Sequence, residues 1–453
     1  MRLTWVQPED LLPHELAQSR VEGKDVDDVA ARWVAAGGSV DVVAGGASAA
    51  DGTGDLRAPA RTLLDELDAL PASAEHRRDE PDDLAAIEAL WSGAPALPEP
   101  DLDALRGRLR GAWLGRAAGC LLGKPVEKIP REGIREILRS TGRWPLAGYF
   151  TAVGLPAAVA ERWPWNRRSR TTSLAENIDG MPEDDDLNYA MLALQVVEEH
   201  GSSFTTEDVA QAWLDGLPAG RVFTAERIAY RNLLDGLVPP RTAVVRNPFR
   251  HWIGAQIRTD VYGWVCPGRP HEAARLAWRD ARLSHTGSGT YGAMFVAAAS
   301  AAAVVTDDVG AVLAHGLAVV PPDSALAVAV RRGMALAAAG TGVEDALDTL
   351  HTEFGHLHWV HAVNNAALVA YALAASDGDF VPAVCAAVTG GWDTDSDGAT
   401  VGALAGAMRG VPESWTRPLH DRVASSLPGF DGVALTSLAD RTFALAEGGR
   451  ASC

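Results

Sequence analysis

Apolar residues recur at helical spacing along most of the chain, and this periodicity restricts the fold more than any other feature of the sequence. They follow one another at steps of three and four residues from Leu102 to Leu109, and again between Leu187 and Val197. Such spacing places apolar side chains on one face of an α-helix. Alternating Val- and Ile-rich runs, which indicate strands, are scarce. The sequence therefore predicts a compact, multi-helix, all-α domain over residues 101–453.

Small residues form a second pattern. The predicted helices at residues 297–303 and 402–407 consist largely of Ala and Gly, which allow helix backbones to approach one another closely. The longest uncharged run, from Thr286 to Thr306, is of the same kind and contains few large apolar residues. It predicts a buried helix of a globular core and not a membrane span.

Residues 1–100 differ in composition from the rest of the chain. Short helical patches, such as Leu63 to Leu67, alternate with Gly-rich stretches, and the region ends in the Pro-Glu-Pro of residues 98–100. We interpret it as a variable N-terminal appendage with a linker, followed by the all-α domain over 101–453. The first residues lack the apolar stretch of a signal peptide, so we expect a cytoplasmic protein.

Charge and cysteine usage exclude several classes of protein. The chain has 40 Lys and Arg against 59 Asp and Glu, a formal net charge of −19. A protein that binds the phosphates of nucleic acid needs clustered basic residues. The four cysteines include no Cys-x-x-Cys pair, which argues against a zinc ribbon and a disulfide framework. We therefore expect no nucleic-acid partner and no membrane partner, while the oligomeric state is left open.

Four consecutive acids stand at the start of one predicted helix. Glu183, Asp184, Asp185 and Asp186 come directly before the apolar stripe that begins at Leu187. A solvated helix N-terminus is one interpretation, since the helix dipole favours acids there. The other is that part of the cluster points inward, because the stripe that follows must face the core. The pattern alone leaves both open.

A second acidic cluster lies far along the chain. Asp393, Asp395, Ser396 and Asp397 follow a pair of glycines and precede a helix of small residues. The spacing is like the start of an EF-hand, but the bidentate Glu that such a loop needs at its last position is here Leu404. Hard oxygen ligands of this kind suit Mg²⁺, Mn²⁺ or Ca²⁺. If the two clusters meet in space, their carboxylates need cations, which predicts a two-metal site.

The motifs resemble those of the ADP-ribosylglycohydrolase family. The stretch from Gly119 to Glu127, Gly-Cys-Leu-Leu-Gly-Lys-Pro-Val-Glu, is similar to the family's opening Gly-Asp-x-x-Gly-x-x-x-Glu, with Cys120 in place of the Asp. Residues 183–186 resemble the family's Thr-Asp-Asp-Thr. Either Glu183 or Asp184 then replaces the first Thr, which puts the Asp pair at 184/185 or at 185/186.

Two further stretches carry the resemblance. Residues 392–396, Trp-Asp-Thr-Asp-Ser, are similar to the family's Gly-Gly-Asp-Thr-Asp-Thr, with a Trp inserted and Ser in place of the final Thr. Residues 284–292, Ser-His-Thr-Gly-Ser-Gly-Thr-Tyr-Gly, resemble a bacterial branch of the family in which a Ser-His flanked by glycines approaches the ribose and phosphate.

The resemblance implies a compact all-α fold with two Mg²⁺ or Mn²⁺ ions. It implies hydrolysis of an N- or O-glycosidic bond at the anomeric carbon of ADP-ribose, in a small molecule or attached to a protein. As catalytic residues it implies Asp185, Asp186 and Asp395, and as substrate contacts Glu127, His285, Gly289, Tyr291 and Trp392. As metal ligands it implies Glu183, Asp184, Asp185, Asp186, Asp393, Asp395 and Ser396.

Several alternatives stay open at this stage. A hydrolase of another nucleoside or ribosyl small molecule in specialised metabolism fits the same motifs, and so does a catalytically silent ADP-ribose-binding module. His358, His361 and Asn365 share one face of a possible helix, but without an accompanying carboxylate or Cys we prefer polar support for the acidic loop over zinc. The overall negative charge requires local cations for a diphosphate, for which we expect Lys124, Arg258 or Arg282.

Overall fold

The structure is a computed structural model that describes residues 3–48 and 53–449. Within these ranges the chain forms α-helices and short 3₁₀ helices, with isolated bridges and no strand. The all-α fold predicted from the helical periodicity is confirmed.

The helices divide into a short N-terminal group and a larger group after residue 101. The first group is α1 (Pro8–Val21), α2 (Asp27–Ala35), α3 (Arg57–Ala69), α4 (Ala74–Asp79) and α5 (Leu84–Glu88). The second group is α6 (Leu102–Gly123), α7 (Arg131–Ser140), α8 (Ala157–Arg162), α9 (Asp185–His200), α10 (Thr206–Gly216), α11 (Thr224–Leu234), α12 (Arg241–Val244), α13 (Asp260–Trp264), α14 (Pro270–Ala281), α15 (Gly287–Ala303), α16 (Val309–Ala318), α17 (Ala325–Ala338), α18 (Val343–Phe354), α19 (Ala362–Ala375), α20 (Phe380–Thr389), α21 (Thr394–Arg409), α22 (Glu413–Thr416) and α23 (Leu435–Gly449). The 3₁₀ helices are Thr53–Leu56, Lys124–Val126, Gly201–Ser203, Ala219–Arg221, Ile253–Arg258 and Arg417–Leu419.

The periodic segments of the sequence lie in these helices. The stripe from Leu102 begins α6, the stripe from Leu187 follows the first residues of α9, and the uncharged run forms α15. Every residue of α15 is buried, as expected for a core helix. In the part of the chain that the structure describes, no helix has the length and hydropathy needed to cross a membrane.

Two Gly-rich helices, α6 and α21, pack in direct backbone contact. A β-carbon on Gly115 would lie 2.0 Å from the carbonyl oxygen of Gly402, and one on Gly402 would lie 2.2 Å from that of Gly115. At the same interface, Thr394 Oγ1 donates a hydrogen bond to the carbonyl oxygen of Gly123 at 2.9 Å. The end of α6 therefore lies against the start of α21, which brings together the residues that follow one helix and begin the other.

The N-terminal segment, residues 3–48 and 53–100, packs onto the second group of helices. Trp5 meets the rings of Phe249 and Trp252 edge-on, at centroid distances of 5.4 and 5.6 Å. Buried leucines of α1 and α3 belong to the same apolar cluster. The segment therefore shares a core with the rest of the chain, since removing it would expose these aromatic rings to water.

Candidate metal centre and substrate cleft

Acids from both clusters, though not the buried Asp397, line one cavity with a volume of about 1120 Å³. Its walls include the loop after α6, the start of α9 and the start of α21. The predicted site residues that line it are Glu127, Glu183, Asp184, Asp185, Asp186, Asp393, Asp395 and Ser396. Two motifs that are widely separated in the sequence therefore face the same space, which is large enough for a nucleotide-sized ligand.

Asp184 caps the N-terminus of α9. Its carboxylate accepts a hydrogen bond from the backbone N–H of Asp186 at 2.9 Å and forms an ion pair with the buried ammonium of Lys124. Burial opposes ionisation of Asp184, but Lys124 outweighs this effect and holds the pKa below its usual range. Glu183 lies at the rim, where Arg221 pairs with it at 2.9 Å. The charges of both residues are thus compensated by cations of the protein.

Asp186 is held from two sides. Arg116 Nη2 lies 3.5 Å from its Oδ1, and Ser396 Oγ donates to its Oδ2 at 3.3 Å. Arg116 is itself fully buried and also pairs with Asp260 at 2.6 Å. The Ser396 hydrogen bond connects α9 to α21 across the cavity wall, so the two motifs are in direct contact.

Cys120 lies against the same carboxylates. One ligand atom from each of Cys120, Asp184 and Asp186 lies within 4.8 Å of the other two. Burial raises the pKa of the Cys120 thiol well above its usual value, and the neighbouring carboxylates raise it further. Cys120 stands where the similar Gly-Asp-x-x-Gly-x-x-x-Glu motif has an Asp. The centre therefore carries one negative charge fewer than it would with that Asp.

An amide fixes the start of α21. Asn365 Nδ2 donates to the carbonyl oxygens of Trp359 and His361 at 2.9 and 2.8 Å. Its Oδ1 accepts the backbone N–H of Asp393 at 3.2 Å. Because the two donated bonds orient the amide, this third bond holds the acidic turn in place. Asn365 thus gives the polar support that we expected for the acidic turn, whereas His358 stacks on Trp252 and His361 is the N-cap residue of α19.

Four carboxylates of the cavity resist ionisation. Burial raises the pKa of Asp185, Asp186 and Asp393 well above the usual range, and neighbouring carboxylates raise it further. Burial, followed by repulsion from Glu127, raises the pKa of Asp395 to about 7. Asp393 and Asp395 also share a hydrogen bond. The metal-free cluster therefore retains protons at neutral pH, and bound divalent cations would displace them.

The raised pKa of Asp395 predicts how the stability of the metal-free protein depends on pH. A carboxyl whose pKa is higher in the folded than in the unfolded state stabilises the fold at low pH, and this contribution disappears as the pH rises through the folded pKa. We expect the Tm of EDTA-treated protein to fall between about pH 4 and about pH 7 and this decline to level off above pH 7. Asp395→Asn should flatten the decline. A Tm that rises with pH over this range in the EDTA-treated wild type contradicts the prediction.

Three predicted substrate contacts, His285, Gly289 and Tyr291, lie on or just before α15 and do not line the cavity. His285 is buried, with its Nε2 3.8 Å from Oε1 of Glu226. Gly289 packs so closely on His285 that a β-carbon would lie 2.8 Å from the imidazole. Tyr291 donates a hydrogen bond to the carbonyl oxygen of Pro81 at 2.6 Å. This motif therefore faces the N-terminal segment.

Trp392, the remaining predicted substrate contact, does not line the cavity either. Its ring is buried and stacks on His351, with a centroid distance of 4.3 Å and an interplanar angle of 22°. The indole therefore packs in the core behind the acidic turn.

The cavity has more cations than the sequence pattern identified. Lys124 lines it as expected, whereas Arg258 is paired with Asp280 at 2.5 Å and Arg282 lies over the ring of Trp278. Neither of these two arginines lines the cavity. The arginines that do line it are Arg162, Arg167, Arg168 and Arg221. The basic run at residues 167–170 was the signal in the sequence that could have indicated them.

Comparison with known proteins gives the family. The sequence model of the ADP-ribosylglycohydrolase family matches residues 101–452. The chain belongs to the ADP-ribosylglycohydrolase family. No curated protein is significantly similar to it in sequence. A solved structure titled "ADP-ribosylglycohydrolase-related protein complex" is 20% identical, with a TM-score of 0.45, and the match covers 76% of this chain and 99% of that chain.

The donors in the cavity of the ADP-ribosylglycohydrolase domain fit hard divalent cations. Asp185, Asp186, Asp393 and Asp395 supply carboxylates, and Ser396 supplies a hydroxyl. All are oxygen ligands of the kind that Mg²⁺ and Mn²⁺ prefer. Their raised pKa values show that the protein alone leaves these charges incompletely compensated, which is the electrostatic condition that a cation relieves.

Proposed function

We propose that the chain is a metal-dependent hydrolase that cleaves the glycosidic bond at the anomeric carbon of an ADP-ribosyl or related ribosyl group. The observation that carries the proposal is the convergence of two acidic motifs in one cavity, where burial and mutual repulsion oppose ionisation of the carboxylates. Family membership supports the reaction class. Two Mg²⁺ or Mn²⁺ ions are the cofactors, which is consistent with the oxygen donors present.

Within the first motif we assign the Asp pair to Asp185 and Asp186. Asp184 occupies the N-cap position of α9, for which Thr is also well suited, and its charge is matched by Lys124. Asp184 therefore corresponds to the first Thr of the family motif, and Glu183 precedes the motif at the rim. The proposed ligands are Asp185, Asp186, Asp393, Asp395 and Ser396.

The reaction follows from the properties of these groups. When bound, the ions supply Lewis acidity that makes water more acidic, and they offer coordination positions for a vicinal diol. Asp395 lines the same cavity, and its carboxylate would accept the proton of the attacking water. The carboxylates of Asp185 and Asp393 face the same space and stabilise the positive charge that develops on the sugar during cleavage.

The rim of the cavity supports an anionic substrate. Arg167 and Arg168 are exposed there, and Arg162 and Arg221 also line the cavity, paired with Glu136 and Glu183. Guanidinium groups form paired hydrogen bonds with phosphate oxygens, so this rim suits the diphosphate of an ADP-ribosyl group. Arg167 and Arg168 also oppose, at close range, the repulsion that a net charge of −19 exerts on a diphosphate.

Calorimetric titration of ADP-ribose into metal-free and Mg²⁺-loaded protein tests the proposal, together with turnover of ADP-ribosyl-arginine. We expect binding only with metal, and turnover that falls about 10²–10⁴-fold in Asp395→Asn. Asp25→Asn is the matched control, because Asp25 is an exposed carboxylate in the N-terminal segment, and it should leave turnover unchanged.

The other outcomes of that experiment each indicate a different function. Metal-dependent binding of ADP-ribose without turnover would favour a binding module over an enzyme. Metal binding without affinity for ADP-ribose would direct the search to other ribosyl compounds. Failure to bind Mg²⁺ or Mn²⁺ at all would contradict the proposed centre.

A further inference from the structure

A second cavity lies between the N-terminal segment and the ADP-ribosylglycohydrolase domain, and it holds a different donor set. One ligand atom from each of Glu22, His76 and His251 lies within 4.8 Å of the other two. We infer that these three residues form a zinc site that joins the N-terminal segment to the domain. The site is separate from the acidic centre and does not depend on the function proposed for it.

The three residues come from separate elements. Glu22 is the C-cap residue of α1, His76 lies in α4, and His251 lies in the loop before the 3₁₀ helix Ile253–Arg258. His251 Nε2 is 3.8 Å from Oε1 of Glu22. The rings of His76 and His251 are nearly parallel, with centroids 5.9 Å apart. Zn–N and Zn–O bonds of about 2.0–2.2 Å place neighbouring ligand atoms about 3.4 Å apart, so a small closing movement completes the set.

The donor set is the one that zinc favours. Two imidazoles and one carboxylate form a recurrent zinc site in which a further position is left open. Glu22 and His251 are buried, and His76 is half-buried at the wall of a cavity of about 850 Å³.

The glycine-rich motif before α15 contributes space to this site. Gly287 has a φ of +45°, and a β-carbon there would lie 2.6 Å from Nε2 of His251 and 3.1 Å from Oε2 of Glu80. Any side chain at this position would therefore occupy the space beside the imidazole nitrogen. The backbone N–H of Gly287 donates to Asp82 at 2.8 Å, which adds a second carboxylate beside the cluster. The glycine-rich motif before α15, which does not line the acidic cavity, thus lies beside the Glu22–His76–His251 cluster.

Two cations contact Glu22 and must be reconciled with a metal. Arg250 Nε lies 2.6 Å from Oε1 of Glu22, and Lys24 Nζ lies 3.1 Å from its Oε2. Gln18 Nε2 also donates to Oε1 at 3.2 Å, so Oε2, with Lys24 beside it, is the oxygen of Glu22 that keeps a lone pair for an ion. Arg250 is also paired with Glu15. The cavity walls carry six carboxyl groups against four Lys and Arg.

Zinc at this position would order a segment that also forms part of the first cavity. Thr4, Trp5 and Gly45 of the N-terminal segment line the wall of the substrate cleft. Glu22 and His76 belong to the same segment, whereas His251 belongs to the domain. A zinc ion held by all three residues would link the two sides through coordination bonds and limit movement of the cleft wall.

The zinc content of the full-length protein tests the inference. The protein is incubated with zinc, dialysed against buffer with excess Mg²⁺, and analysed by elemental mass spectrometry. We expect one zinc per wild-type chain and almost none in His76→Ala and His76→Gln. Loss of a ligand should weaken binding by more than the ~10–100-fold that outer-shell substitutions cost. Zinc should raise the Tm of the wild type and leave that of both variants unchanged.

Two control variants make the result specific. His200→Ala removes an exposed histidine that also lies beside two carboxylates, Glu199 and Asp208, and it should retain the zinc. Asp395→Asn changes the acidic centre and should retain it as well. Equal metal-free Tm values for wild type and the His76 variants show that the fold is intact. Zinc absent from the wild type, kept by the His76 variants or lost with Asp395→Asn overturns the inference.

Discussion

Asp185→Asn and Asp184→Asn should change the stability of the metal-free protein in opposite directions. Burial and the neighbouring Asp184 raise the pKa of Asp185, so folding at neutral pH requires this carboxyl to take up a proton; a neutral amide avoids that cost and should raise the Tm. Asp184 is the partner of the buried Lys124, and an amide there leaves the ammonium without its counter-charge. Breaking a buried ion pair in this way costs about 3–5 kcal/mol, so the Tm should fall.

Turnover should distinguish a specific loss at the metal centre from a general effect of the substitution on folding. Asp185→Asn should lose about 10²–10⁴-fold in turnover and the increase of Tm on adding Mg²⁺, although the variant is more stable without metal. The effect of Mg²⁺ on the Tm of Asp184→Asn tests the register of the motif. If the Asp pair lies at 185/186, Mg²⁺ should still raise the Tm of this variant relative to its metal-free form, measured at the same protein concentration. If Asp185→Asn lowers the metal-free Tm and Asp184→Asn raises it, the Asp pair lies at 184/185 and our assignment is wrong.

Much of the fold and of the acidic centre follows from local sequence patterns. Helical spacing repeats within a few residues, so α6 and α9 could be predicted without knowing their neighbours. The acids at 183–186 and 393–396 span the N-terminal ends of α9 and α21, and a helix N-terminus positions such side chains within one turn. The prediction that the clusters meet needed the family resemblance, because periodicity carries no information about which helices pack together.

The features that the sequence left open depend on contacts between distant residues. All of α15 is buried, so it has no polar face from which the environment of Tyr291 could be predicted, and its partner Pro81 lies in the N-terminal segment. The role of Asp184 is set by Lys124, which precedes it by a long stretch of chain. Similarly, Trp392 stacks on His351 of α18 and not in the cleft, although the sequence places it beside the metal motif.

The glycines of α6 and α21 have the largest expected effect outside the acidic centre. Gly115 and Gly402 lie in backbone contact, and a β-carbon on Gly402 would also lie 3.3 Å from Cα of Gly119. The obstacle is backbone and not a flexible side chain, so the helices must move apart to accept a methyl group. The same interface holds Thr394 against Gly123, and a separation there moves the acids of α21 away from those of α9.

Gly402→Ala should therefore reduce both stability and turnover, whereas Gly107→Ala should do neither. Overpacking costs about 1–3 kcal/mol of unfolding free energy, and a displacement of about 1 Å at the catalytic groups costs about 10²-fold in turnover. Gly107 is an exposed residue of α6 with no heavy atom within 4 Å of its β-carbon position, so Ala there should stabilise the protein by about 0.5–1 kcal/mol. Urea denaturation and metal-saturated kinetics measure both quantities. Equal stabilities of the two variants would show that the helix contact tolerates a side chain and that close packing does not position the centre.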